Sequence, residues 1–279
     1  MNKHITILFL FIGILFTQLC CNTSKQDFPI ISKRRTVRIP VRMLSETNSG
    51  IVDENLNALT FTVGREDELP QGPQSFDVLD DGSFVITDPL QRRVVFYDSL
   101  GQFLEAWQIG FPVNRVKVID NAFLEVIKAT SGDTILLDDT GQIYSTNSRT
   151  RGQLSTPNRG ETKLLGLNRG VFSRPRTRGQ EPATLEINFE SDSTKMIAMQ
   201  DLGTDGDGNS YVAMETTHGT DTIDIIKYIR KYSPQGEILG QINDISLDYY
   251  IHPDDEFRIK NGQIYQMQPK QTELLIHVW

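Results

Sequence analysis

The chain has 279 residues, of which 38% are hydrophobic and 23% charged. That balance excludes a polytopic membrane protein and a wholly disordered chain, and leaves room for one large domain or two small ones. The formal net charge of -8 argues against wholesale nucleic-acid binding, so no nucleic-acid partner is expected. Only 2 Cys occur, the neighbours Cys20 and Cys21, which excludes a disulfide framework and a cysteine zinc site.

The N-terminus carries Lys3 and then an apolar run from Ile5 to Phe16. As a helix that run spans about 18 Å, well short of a hydrocarbon core of roughly 30 Å. It therefore predicts a secretory signal over residues 1–20 rather than a spanning helix. The arrangement with Cys20 and Cys21 resembles a bacterial lipoprotein signal peptide, in which the Cys after the cleavage point receives a diacylglyceryl group. The resemblance implies a lipid anchor at Cys20 or Cys21 and a place in the bacterial cell envelope, at the outer membrane or facing the periplasm. The flanking residues depart from the usual pattern: Thr17, Gln18 and Leu19 precede Cys20, where Leu three back and a small neighbour are usual. An ordinary secretory signal with incidental cysteines is the alternative.

Residues 21–35 read as a polar tether and residues 36–279 as the folded body. Lys33, Arg34, Arg35, Arg38 and Arg42 form a basic cluster that suits anionic headgroups. The same stretch alternates Val37, Ile39, Val41 and Met43 with Arg38, Pro40 and Arg42, the period of a half-buried strand. Pro40 predicts that this strand lies on a sheet edge.

From residue 60 the apolar pattern has period two, in short bursts. Strands are predicted at Phe76–Leu79, Phe84–Thr87, Arg93–Tyr97 and Phe103–Trp107, with Asp80-Asp81-Gly82 and Asp98-Ser99-Leu100-Gly101 as hairpin turns. A second unit takes Val116–Ile119, Phe123–Ala129, Thr134–Leu137 and Gln142–Ser145, with Asp138 to Gly141 where Asp98 to Gly101 stood. A third, weaker unit runs from Leu164 to Met199. A fourth has Asp205-Gly206-Asp207-Gly208 before Ser210–Val212, then Tyr228–Tyr232, Ser233 to Gly236 and Glu237–Leu239. A fifth has Phe257–Ile259, Asn261-Gly262, Gln263–Met267 and Leu274–Trp279.

Unit starts near residues 76, 116, 163, 203 and 257 are 40 to 54 apart. Four strands per 40 to 50 residues predict an all-β fold, a β-propeller of four-stranded antiparallel blades. A sandwich or barrel explains the strands but not the recurring turns. The chain stops in mid-strand at Trp279, and an early strand over Leu59–Gly64 precedes the first unit. The expectation is a ring of five or six blades closed by N- and C-terminal strands, with the Leu59 strand fourth in the shared blade. A sixth blade would have to draw on residues 36–58 or 240–256.

The run Asp88-Pro-Leu-Gln-Arg-Arg93-Val94-Val-Phe-Tyr97-Asp98-Ser-Leu-Gly101-Gln-Phe103-Leu104, with Gly72-Pro73-Gln74-Ser75-Phe76-Asp77-Val78 before it, resembles an NHL repeat. Gln91 stands where Asn is usual. With the signal, the whole resembles NHL-type or TolB-like propeller lipoproteins, a group that includes binding modules and enzymes. Asp88, Arg93 and Gly101 are expected to be structural: a carboxylate accepting from Arg93 at a blade corner, and a turn glycine.

No His-x-His pair, P-loop, dinucleotide fingerprint or Gly-x-Ser-x-Gly occurs, so no catalytic residue, metal ligand or cofactor is assigned. Asp205-Gly-Asp207-Gly-Asn209 fails the EF-hand pattern at Ser210 and Thr216 and reads as a turn. His218, His252 and His277 show no metal-ligand spacing. The strongest local feature is charge. Arg149, Arg151, Arg159, Lys163, Arg169, Arg174, Arg176 and Arg178 stand against Glu161, and Arg-Thr-Arg-Gly occurs twice. Arg149, Arg151, Arg176 and Arg178 lie in loop-like sequence and are candidate anion-binding groups, because arginine forks suit phosphate and carboxylate. The expected function is an envelope-anchored binding or scaffold module, monomeric, for a protein or an anionic glycan. The alternative is a lactonase-like propeller hydrolase or lyase with a divalent metal in its channel.

Overall fold

The computed structural model describes residues 28–44, 57–64, 68–120, 123–147, 161–166, 169–173, 184–188, 194–218 and 224–279. Residues 1–27, where the sequence predicts a signal, and both Arg-Thr-Arg-Gly stretches lie outside the described residues. The rest is built almost wholly of strands: β1 (Arg35–Leu44), β2 (Leu59–Thr62), β3 (Phe76–Val78), β4 (Phe84–Asp88), β5 (Arg93–Tyr97) and β6 (Phe103–Gln108). Then come β7 (Val113–Asp120), β8 (Phe123–Lys128), β9 (Thr134–Leu137), β10 (Ile143–Asn147), β11 (Glu161–Gly166), β12 (Arg169–Ser173) and β13 (Thr184–Asn188). The last are β14 (Thr194–Thr204), β15 (Ser210–His218), β16 (Asp224–Tyr232), β17 (Ile238–Ile242), β18 (Phe257–Lys260), β19 (Gln263–Pro269) and β20 (Glu273–Val278).

The described strands form five sheets, in spatial order β3-β4-β5-β6, β7-β8-β9-β10, β11-β12-β13, β14-β15-β16-β17 and β18-β19-β20-β1-β2. We refer to them as sheets one to five. The first strand of each sheet meets first strands of its neighbours: β3 touches β7 and β18, and β14 touches β11 and β18. Sheets therefore radiate from a central set of strands and pack face to face. Phe84, Ile86, Val95 and Tyr97 of sheet one meet Val37, Ile39, Met267 and Ile276 of sheet five. The opposite face of sheet one, Val85, Val94 and Phe96, meets Val116, Leu124 and Val126 of sheet two. Tyr211, Ala213 and Ile229 meet Phe257, Ile264 and Trp279 between sheets four and five. Sheets three and four share Phe172, Ile187, Met196 and Met214. Because both faces of β4 and β5 are covered, these strands read as unbroken apolar runs rather than alternating ones.

The recurring turn has one chemistry. Asp98 Oδ1 accepts the N–H groups of Leu100 and Gln102, each at 2.8 Å. Asp138 does the same for Thr140 and Gln142 at 2.9 Å, and Asp205 for Asp207 and Asn209 at 3.1 and 2.9 Å. Ser233 Oγ accepts from Gln235 and Glu237 at 3.2 and 3.1 Å. The fourth residue of each turn is a Gly with φ between 78° and 90°. The side chain at the first position thus stands in for backbone acceptors that the turn leaves missing.

Three expectations need correction. β1 is not an edge strand: it pairs antiparallel with β20 over Arg35–Pro40 and parallel with β2 over Val41–Leu44. Pro40 sits where one pairing ends, one residue before the other begins, so its missing N–H costs no β2 bond. The Leu59 strand is fifth in its sheet, because β1 takes the fourth place beside β20. The third repeat also ends earlier than Met199, which lies in β14, the first strand of sheet four. That strand starts at Thr194, before the predicted start of the fourth unit, and sheet three shows three strands among the described residues.

Candidate functional site

The innermost strands bring charged side chains together. Asp77 stands on β3, Arg115 on β7 and Arg258 on β18, with Ser75 and Asp255 just ahead of β3 and β18. Arg258 lies 2.9 Å from Asp255 Oδ2 and 3.5 Å from Asp77 Oδ1, over the Phe76 ring. Ser75 Oγ donates to Asp255 Oδ2 at 2.8 Å and accepts from Val116 N–H at 3.2 Å. Asp77 Oδ2 accepts from Val118 N–H at 2.7 Å. Ser75 and Asp77, two residues apart on one face of a strand, therefore satisfy alternate N–H groups on the edge of β7. Side chains here do what a further strand would do elsewhere.

The two carboxylates titrate in opposite directions. Burial pushes Asp77 up, against the pull of Arg258 and the Val118 and Val78 N–H bonds. Asp255 is held below the ordinary range: Arg258 and Ser75 outweigh the burial that works against them. Arg115 and Asp254 form the more open end, with side chains 36% and 43% exposed and 4.0 Å apart. Chemically the cluster is a set of ion pairs, two arginines against three carboxylates, with Arg115 and Asp254 facing solvent. Among the described residues no group of three or more His, Cys, Asp or Glu is placed to hold a metal ion.

A second polar cluster locks the segment between β17 and β18. Lys227 Nζ lies 2.7 Å from Glu256 Oε2 and 2.9 Å from Glu215 Oε1. Glu256 also accepts from the Tyr249 hydroxyl and, at 3.0 Å, from Gln266 Nε2. Its carboxylates keep Lys227 charged, raising it against the burial that would lower it.

The predicted positions divide cleanly. Arg93 Nε donates to Asp88 Oδ2 at 2.9 Å, and its second arm reaches the Ala58 carbonyl at 2.7 Å. Thr60 donates to the same Asp88 oxygen at 3.2 Å. Burial raises Asp88 to about 6 even with Arg93 beside it. Asp88 and Arg93 join the β4–β5 corner to the chain entering β2. Gly101 has φ +86°, and a Cβ there would lie 2.7 Å from Val37 Cγ1 and 2.8 Å from the Arg38 carbonyl of β1. Asp205 serves its turn and also accepts from Asn209 Nδ2 and Tyr211 at 3.0 and 2.8 Å, with Lys231 at 3.1 Å. These bonds outweigh partial burial and hold it at about 2. His277 is buried between Thr36 Oγ1 at 2.9 Å and Gln268 Oε1 at 2.8 Å. Cys20, Cys21, Arg149, Arg151, Arg176 and Arg178 lie outside the described residues.

Sequence reading missed the axial cluster. One signal was available: Phe76-Asp77-Val78 and Phe257-Arg258-Ile259 set a charge between apolar neighbours at the same point of the repeat.

Radiating sheets, packed face to face around their first strands, define the chain as a β-propeller. No family model matches the sequence, and a search of curated proteins finds no match. Among solved structures, a DUF4221-family member from Bacteroides vulgatus aligns over 91% of this chain and 98% of its own, at 8% identity and a TM-score of 0.54. That likeness shows shared fold. Virginiamycin B lyase from Staphylococcus aureus covers 75% of this chain and 95% of its own, at 11% identity and a TM-score of 0.34. BamB from Moraxella catarrhalis covers 89% and 97%, at 10% identity and a TM-score of 0.33.

Proposed function

We propose that this chain is an envelope lipoprotein whose NHL-like, TolB-like propeller, residues 36–279, binds an anionic glycan through the loops that carry Arg149, Arg151, Arg176 and Arg178. In this reading residues 1–20 are the signal, Cys20 or Cys21 bears the lipid, and the five sheets are the five blades of a ring closed where β1 meets β20. The protein acts as a monomeric binding or scaffold module.

The observation that carries the ligand reading is a register. Residues 148–160 run into Glu161, and residues 174–183 run out of Ser173 and into Thr184. Glu161 and Ser173 are direct partners across β11 and β12, and Ser173 and Thr184 across β12 and β13. Both arginine stretches are therefore attached at the same end of sheet three. In this reading the four arginines of these two segments act together, and guanidinium groups suit sulfate, phosphate or carboxylate groups on a polymer. The binding reading is favoured over a channel hydrolase because the axial carboxylates Asp77 and Asp255 are already engaged by Arg258.

Retention of the full chain on an immobilised anionic glycan tests this. Replacing Arg149, Arg151, Arg176 and Arg178 together with Gln is expected to abolish retention. Unaltered retention removes the loops from the account, and retention by an acidic protein column alone would move the ligand to a protein partner.

A further inference from the structure

Residues 28–34 run along the outer edge of sheet four. Ile30 bridges to Gln241 in parallel, Ile31 N–H donates to the Gln241 carbonyl at 2.8 Å, and Gln241 N–H donates to the Pro29 carbonyl at 2.8 Å. The Arg230 guanidinium lies 4.8 Å from the centre of the Phe28 ring. Gly240 makes the contact close: a Cβ there would sit 2.7 Å from Ile31 Cγ1 and 3.2 Å from the Pro29 carbonyl. The segment then crosses to sheet five. Lys33 pairs with Asp244 at 3.5 Å and lies over the Trp279 ring at 5.1 Å, and Arg34 N–H donates to the Val278 carbonyl at 2.7 Å. This is a strap pinned at both ends, not a free leash.

Six residues, 22–27, separate Cys21 from Phe28. Fully extended, that stretch reaches about 25 Å. A folded body of this size has a radius of gyration of about 18 Å and is therefore roughly 45 Å across. A lipid at Cys20 or Cys21 cannot bring the far side of such a body to a bilayer. The near side is the strap, β17 and the start of β1. It carries Lys33, Arg34, Arg35 and Arg38, of which Arg34 and Arg38 are exposed, against Asp244, Glu273 and the exposed Glu237 just before β17.

We infer that the flank formed by residues 28–34, β17 and β1 faces an anionic lipid surface, so that the docked strap sets the propeller's orientation on the membrane. This rests on the lipoprotein reading above. It commits to a lipid partner because the tether is short, ends at this flank, and the flank is basic.

The folded body contains no Cys, and the chain without an added Cys, labelled in the same way, is the blank for any thiol left beside the lipid, so an added cysteine reports position. Leu239→Cys, on β17, and Tyr144→Cys, on β10 of sheet two, place a fluorophore at residues 42% and 67% exposed. The full chain, made in bacteria and reconstituted in vesicles containing phosphatidylglycerol and a headgroup quencher, is the sample. Quenching several-fold stronger at position 239 than at 144 is expected. Equal or reversed quenching, with acylation of the Cys peptide confirmed by mass, overturns the orientation while the lipoprotein reading stands. An unacylated Cys peptide overturns both. Gly240→Val unseats the strap without touching the lipid site. It is expected to erase the difference between the two positions at unchanged acylation and near-ultraviolet circular dichroism. A difference that survives Gly240→Val contradicts the strap's role.

Discussion

Arg93 donates to Asp88 at 2.9 Å with both side chains sealed from solvent, 2% and 0% exposed. The same guanidinium holds the Ala58 carbonyl, so one side chain ties the β4–β5 corner to the entry of β2. Removing one partner of a buried pair leaves an uncompensated charge, at a cost of about 3–5 kcal/mol. Arg93→Ala is expected to lower the melting temperature by roughly 10 °C at neutral pH. Burial raises Asp88 to about 6, above its ordinary 3.8. Its own contribution to stability is therefore complete below that ordinary value and lost as pH rises through about 6. The Arg93→Ala penalty should accordingly shrink at pH 5, where Asp88 is protonated. A melting temperature unchanged at pH 7.5 rules out the structural role.

Two turn glycines separate backbone strain from packing. Gly101 and Gly132 have φ of +86° and +74°, but a Cβ at 101 meets Val37 and the Arg38 carbonyl, whereas at 132 it meets nothing within 4 Å. Gly132→Ala should cost about 1 kcal/mol, the conformational part alone. Gly101→Ala should cost clearly more, because a β1 carbonyl cannot move aside without shifting its β20 ladder. Equal denaturant midpoints for the two variants contradict this packing.

The axial arginines differ in the same way. Arg258→Gln strips the cation from Asp77 and Asp255 and is expected to cost about 3 kcal/mol. Arg115→Gln loosens only contacts of 3.9 and 4.0 Å near solvent and should cost less than about 1 kcal/mol. Urea unfolding of both variants makes the comparison. A larger loss at Arg115 contradicts the arrangement.

His277 is lowered to about 4, chiefly by burial, with the charge of Lys33 adding to it. Its folded-state value lies below its ordinary 6.5, so the unfolded chain takes up the proton first. The contribution of neutral His277 is complete above pH 6.5 and is lost as pH falls from there towards 4. The full chain should lose stability over that window, and His277→Gln should flatten the loss. An identical pH profile in the variant contradicts a neutral His277.

The strands and turns were legible in the sequence where chemistry is local. Asp98, Asp138 and Asp205 announce their turns because the carboxylate bonds residues two and four further on. β14 was not legible as the start of sheet four. Its residues alternate only in part, and its register with β15 shifts twice, near Met196 and Asp201. The place of β1 was hidden because pairing with β20 joins residues more than 200 apart in sequence. The axial cluster was hidden for the same reason: Asp77 and Arg258 are ordinary strand residues until the fold sets β3 beside β18.

The central claim is the proposal that the segments bearing Arg149, Arg151, Arg176 and Arg178 bind an anionic glycan. Its most direct measurement is the affinity of the full chain for heparin, as a soluble polyanion, across a range of salt concentrations, for the wild type and for the variant with all four arginines changed to Gln. The account predicts that wild-type binding weakens steeply as salt rises, and that the variant binds several-fold more weakly at low salt with a shallower dependence. Identical affinity and identical salt dependence in the two proteins would contradict it.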